Sequence, residues 1–122
     1  MTTIAVDAMG GDHAPAVPVE GALLAAREYG VGLELVGAPE LLEGELRKHD
    51  TSGLQVELVP ARDVIGMDES PVKALRRKPD ATVRVAANRV RDGRAQGFVT
   101  AGNTGAAMAR SEERRVGKEC RL

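Results

Sequence analysis

The chain has 122 residues, 43% hydrophobic and 29% charged, with a formal net charge of −1 at pH 7. That is the length of one ordinary domain and the composition of a soluble globular fold. No run approaches the roughly 18 apolar residues that a bilayer span needs, and one Phe and one Tyr argue against a base-stacking nucleic-acid surface.

The first stretch, "TIAVDA", is β-branched and apolar without alternation, which predicts a central parallel strand. From Pro15 to Tyr29 the period becomes helical, with Val19, Ala22, Leu23 and Ala26 on one face and Glu20 and Arg27 on another. Gly30 is placed to end that helix. "LELVG" (33–37) predicts a second strand, and Pro39 a helix start with Leu42 and Leu46 on one face. "LQVELVP" (54–60) predicts a third strand. Ser70 and Pro71 suit the cap and first position of a short helix. Asp80 is expected to cap a further helix with Val83, Ala86, Ala87 and Val90 inward, closed by Gly93. "GFVTAG" (97–102) predicts a fourth strand running into the small residues of "NTGAAMA".

This alternation predicts an α/β fold, a parallel, doubly wound sheet in a Rossmann-like three-layer sandwich. It stops after about four strands, so the sheet looks unfinished. Residues 1–109 form the body. Residues 110–122, "RSEERRVGKECRL", change composition abruptly and are similar to a translated sequencing-adapter oligonucleotide, so this tail is expected to be non-native. It carries Cys120, the only cysteine. Setting aside its five basic and three acidic residues leaves 12 of the 17 Lys+Arg and 15 of the 18 Asp+Glu, a net charge of −3.

In doubly wound sheets ligands bind beyond the carboxyl ends of the strands. Two glycine-bearing segments occupy that position, "DAMGGDHAP" after strand one and "TAGNTGAAMA" after strand four. A strand order of 3-2-1-4 would make them neighbours. Glycine lets backbone approach a ligand, and successive amides at a helix start favour an anion. The candidate substrate- or phosphate-binding residues are therefore Asp7, Gly10, Gly11, Asp12, Gly102, Asn103, Thr104 and Gly105. Each has a plainer reading. The glycines can be turn geometry alone, Asp12 a turn cap, and Asp7 an acceptor for nearby amides. "AGNTGA" is not GxGxxG, and no GxxxxGK[ST] exists. Asp7 and Asp12 are read as structural rather than as a metal pair, so no metal and no cofactor are expected. His13 is read as an exposed loop residue. A basic stretch holds Lys73, Arg76, Arg77 and Lys78, either a solvated helix face or a contact for an acidic partner.

"IAVDAMGGDHAP", "MDESPVKALRRKPD" and "FVTAGNTGAAMA", in this order and spacing, together resemble the phosphate acyltransferase family of bacterial phospholipid synthesis. The resemblance covers residues 1–109, similar to the N-terminal third of family members. Asp80-Ala81-Thr82 stands where a serine-rich stretch is usual, and Ala107 where a leucine is common. The resemblance implies a fold related to phosphate acetyltransferases and to isocitrate and isopropylmalate dehydrogenases. It implies a cytoplasmic, homodimeric enzyme, peripheral on the membrane. The enzyme would move a fatty acyl group from acyl carrier protein to inorganic phosphate. Arg76, Arg77 and Lys78 become a candidate contact for the carrier protein. Two alternatives remain open: another enzyme of the same superfold, acetyl-transferring or dehydrogenase-like, and a non-catalytic phosphate- or nucleotide-binding module. The 122-residue chain is itself expected to be poorly folded and inactive, with most catalytic residues beyond it.

Overall fold

The computed structural model describes residues 2–11, 13–64, 70, 73, 76–78 and 80–100. In chain order these hold β1 (Thr3–Asp7), α1 (Ala16–Tyr29), β2 (Gly32–Gly37), α2 (Pro39–Leu46), β3 (Val56–Pro60), α3 (Thr82–Arg91) and β4 (Gly97–Thr100). The four strands form one parallel sheet in the order β3-β2-β1-β4, the arrangement on which the sequence reading made the two glycine segments neighbours.

Every residue of β2 is buried, because it is an inner strand covered on both faces. Pleat alternation sends Leu33 and Leu35 of β2, with Ile4 and Val6 of β1, to one face. There they meet Val19, Ala22, Leu23 and Ala26 of α1 and Leu42 of α2. Ala5, Val36 and Val59 point to the other face and meet Ala86 of α3. The result is three layers with a core on each side of the sheet. Leu35, Leu42, Val19 and Val36 are among the largest fully buried side chains, each contributing roughly 1.5–3 kcal/mol by burial.

The four residues expected inward on α1 are the four it buries. Pro18 sits in the first turn, where its missing N–H leaves no helical bond unmade. Gly30 closes the helix at φ 69°, its amide donating to the Ala26 carbonyl at 2.9 Å.

Two local readings are corrected. β3 starts at Val56 rather than Leu54, because the Leu54 amide turns back to the Thr51 carbonyl at 3.1 Å. Asp80 does not cap α3. Its carboxylate accepts from the Arg62 amide at 2.9 Å, and the Asp63 carbonyl takes the Thr82 amide at 2.8 Å, so a neighbouring loop serves the helix start. Of the expected strand 97–102, residues 97–100 are strand and the remainder lies outside the described residues. Most of the expected helix after Ser70-Pro71 also lies outside them.

Among the described residues one ion pair crosses from sheet to helix. Arg89 of α3 donates from Nε and Nη2 to the two carboxylate oxygens of Glu34 in β2, at 2.8 and 2.7 Å. The Glu34 side chain is 5% exposed and that of Arg89 23%. Hydrogen bonding to Glu34 raises the guanidinium pKa above its ordinary value, against the opposing effect of burial.

Candidate functional site

The carboxyl ends of β1 and β4 lie side by side, with Asp7 paired to Thr100 in register. This is where strand order reverses, since β2 and β3 lie on one side of β1 and β4 on the other. Chain connectivity produces the arrangement. α1 and α2 carry the chain away from β1 on one face, and α3 returns it across the opposite face to β4.

Asp7 is 3% exposed and both carboxylate oxygens have partners. Oδ1 accepts from the Met9 amide at 3.2 Å, and Oδ2 accepts from the Thr100 hydroxyl at 2.8 Å. The first bond folds the chain into a tight turn directly after β1. The second ties that turn to the end of β4. Beyond it Ala8 still donates to the Val36 carbonyl at 3.0 Å, so the turn is anchored on the β2 side as well. Gly10 is buried, and Gly11 adopts φ 92°, a conformation a side chain would strain. The adjacent glycines therefore let a buried strand end turn sharply and enter α1.

Beside this rim lies a cavity of about 650 Å³ between α1 and the sheet. Asp7, Gly10, Gly11 and Thr100 line one end, and Tyr29 and Val31 lie toward the other. Its walls are mostly aliphatic, a combination typical of small-molecule sites that hold apolar surface and a few polar groups. It exists because α1 covers β1 and β2 while no described element covers the same face of β4. Val99 there is 57% exposed.

The structure thus brings Asp7, Gly10 and Gly11 to one rim and adds Thr100, which the sequence reading did not single out. The signal was available in "GFVT": a threonine ending a strand that neighbours β1 faces whatever ends β1. Asp12, Gly102, Asn103, Thr104 and Gly105 lie outside the described residues. His13 is exposed, as expected, and lines the cavity mouth. Arg76 and Arg77 are exposed, and Lys78 donates to the Val64 carbonyl at 2.9 Å. Among the described residues no cluster of three or more His, Cys, Asp or Glu is placed to hold a metal ion. No helix among them is long and apolar enough to cross a membrane.

Comparison with known proteins agrees with the resemblance. The family model described as "Fatty acid synthesis protein" matches residues 2–119. A phosphate acyltransferase of Geobacter sulfurreducens is 52% identical over 106 residues, 87% of this chain and 31% of that protein. One from Nitratidesulfovibrio vulgaris is 52% identical over 108 residues, 88% of this chain and 31% of its own. One from Citrifermentans bemidjiense is 49% identical over 106 residues, 87% and 30% respectively. The chain therefore spans about 30% of the length of these relatives. With the match running nearly end to end, the chain belongs to the fatty acid synthesis protein family.

Proposed function

We propose that this chain is the N-terminal portion of an enzyme that transfers a fatty acyl group from acyl carrier protein to inorganic phosphate, giving an acyl phosphate for phospholipid synthesis. The observation that carries this reading is the 52% identity, over 87% of the chain, to a protein named phosphate acyltransferase. The geometry at the ends of β1 and β4 is compatible with it.

The chemistry asks little of the protein covalently. A phosphate oxygen adds to the thioester carbonyl carbon, the C–S bond breaks, and the departing thiolate takes a proton. Phosphate is already a nucleophile and the thiolate a good leaving group, so no serine or cysteine intermediate is needed. Positioning the two reactants can supply about 7–11 kcal/mol in favourable cases. Each donor aimed at the developing oxyanion is worth about 3–4 kcal/mol. In this reading Gly10 and Gly11 bring backbone to the ligand at the Asp7–Thr100 rim. Asp12, Gly102, Asn103, Thr104 and Gly105 contribute further contacts to the ligand, and Asp7 holds the turn. Arg76, Arg77 and Lys78 meet the acidic carrier protein. The intact enzyme is a cytoplasmic homodimer that touches the membrane peripherally and takes no cofactor. Residues 110–122 are adapter read-through in this reading.

The test is acyl phosphate formation by the full-length gene product, trapped as hydroxamate, with long-chain acyl-carrier-protein thioesters compared against coenzyme A thioesters. The reading expects turnover with the carrier-protein thioester and none from residues 1–122 alone. Acetyl transfer from acetyl coenzyme A, nicotinamide reduction, or phosphate binding without turnover would each replace it. Resequencing the gene past codon 109 tests the tail, and recovery of the same thirteen residues would make it native.

A further inference from the structure

The apolar cavity beside α1 is longer than a phosphate or a thioester carbonyl requires. α1 runs back from the rim of β1 toward the start of β2, so Val17 lies near Asp7 and Tyr29 at the far end. The twelve residue steps from Val17 to Tyr29, at a 1.5 Å rise, give a trough about 18 Å long. Its helix wall is Val17, Gly21, Ala25 and Tyr29, and its floor is Ile4, Val6 and Val99 of the sheet. Val17 and Val99, on its helix wall and its floor, are 60% and 57% exposed among the described residues. At Gly21 the wall is cut back to backbone, and an added Cβ there would meet nothing within 4 Å.

We propose that this trough seats the hydrocarbon tail of the acyl substrate, with its thioester end at the Asp7–Thr100 rim. The proposal rests on the phosphate acyltransferase reading and names the substrate-binding surface for it. Three observations select a long acyl chain as the occupant. The trough is continuous at one end with the rim where the acyl carbonyl must react. Among the described residues its polar side chains, Asp7, His13 and Thr100, cluster at that end, with only the Tyr29 hydroxyl at the other. Both oxygens of Asp7 already have partners. A hydrocarbon tail brings no donor or acceptor into the aliphatic stretch between, whereas an extended peptide would bring unpaired amides there.

The experiment uses the full-length gene product and fills the trough at two depths. Gly21→Leu adds bulk near the rim, and Ala25→Leu adds it one helical turn, about 6 Å, farther away. Leucine is a good helix former at both positions of α1, so the helix is kept. Binding of parinaric acid, a fluorescent long-chain fatty acid, is measured beside kcat/KM for hexadecanoyl and butanoyl thioesters. Gly21→Leu is expected to weaken parinaric acid binding and hexadecanoyl turnover by about tenfold or more, with butanoyl turnover and the KM for phosphate within about twofold. Ala25→Leu should tolerate longer chains than Gly21→Leu does. Glu20→Leu, equally bulky but outside the trough, should change neither.

Equal losses for both chain lengths, unchanged hexadecanoyl turnover, or no parinaric acid binding by the parent protein would overturn the proposal. So would a dimer that Gly21→Leu disperses without altering parinaric acid binding, since a second copy would then fill the trough. If parinaric acid binding depends on Gly21 while no acyl phosphate forms, the trough stands and the transferase reading falls.

Discussion

Replacing Arg89 by methionine keeps an aliphatic stem over β2 and removes the guanidinium. Glu34, 5% exposed, then loses donors at 2.8 and 2.7 Å together. At 2.7 Å the gross attraction at an effective dielectric of about 20 is roughly 6 kcal/mol, much of it offset by the cost of keeping both groups out of water. Removing one partner of a buried pair costs about 3–5 kcal/mol, because the other charge remains uncompensated. The 23% exposure of Arg89 lets water reach Glu34 once the guanidinium is gone, which places the cost near the lower end, about 3 kcal/mol. That is a large share of a domain's typical net stability of about 5–15 kcal/mol. The assay is native-state hydrogen exchange of the β2 and α3 amides in the full-length protein, which reads local opening directly. Exchange of the Leu35 and Val36 amides should accelerate by roughly 100-fold. The double substitution Glu34→Leu with Arg89→Met should recover most of the loss, since apolar replacement of a buried pair is often neutral. An acceleration below about fivefold in Arg89→Met, or no recovery in the double variant, would refute the reasoning.

Gly37→Ala would place a Cβ 2.7 Å from Met9 Cγ and 3.3 Å from Leu42 Cδ1, so it should destabilise by about 1–3 kcal/mol, read in the same exchange experiment. Met9→Ala should relieve it, because the closest atom belongs to that side chain. Thr100→Val keeps the shape of the rim but leaves Asp7 Oδ2 without the hydroxyl at 2.8 Å. It should cost about 1.5–3 kcal/mol, and the Met9 and Gly10 amides should lose protection while those of α3 do not. Glu40 and Asp50 have pKa values held below 4.5 and 3.8, Glu40 by its own backbone amide and then Arg62, Asp50 by the Ser52 side chain and then its amide. Their folded values lie below the unfolded ones, so their contribution is fully present above those values and is lost as pH falls through the lower folded values. Both are fully exposed, so the effect is small. Between pH 6 and pH 3, Glu40→Gln with Asp50→Asn should show a slightly smaller fall in the urea midpoint than the parent.

The elements were legible where local chemistry and tertiary burial agree. The stripe Val19, Ala22, Leu23, Ala26 predicted the buried face of α1 because helical period alone decides which side chains share a side. The αL end at Gly30 and the helix start at Pro39 follow from backbone constraints that act within a few residues. Asp80 shows where such reasoning stops. An aspartate before a helix is a good cap in isolation, but the Arg62 amide reaches its carboxylate from eighteen residues away. Likewise Glu34 stands alone in an apolar strand, and its guanidinium partner lies fifty-five residues on. A buried carboxylate demands a partner, yet sequence cannot say which arginine comes to hand.

Period, punctuation and composition by themselves determined an α/β chain with parallel strands and glycine turns at their carboxyl ends, because each of those properties is set within one or two turns of backbone. Only the tertiary structure decided that β4 returns beside β1, that Thr100 closes on Asp7, and that α1 leaves an apolar trough open against the sheet. Those facts depend on which distant strands pair and which faces go uncovered. Pairing and coverage are settled by long-range packing among elements that no short window of sequence contains.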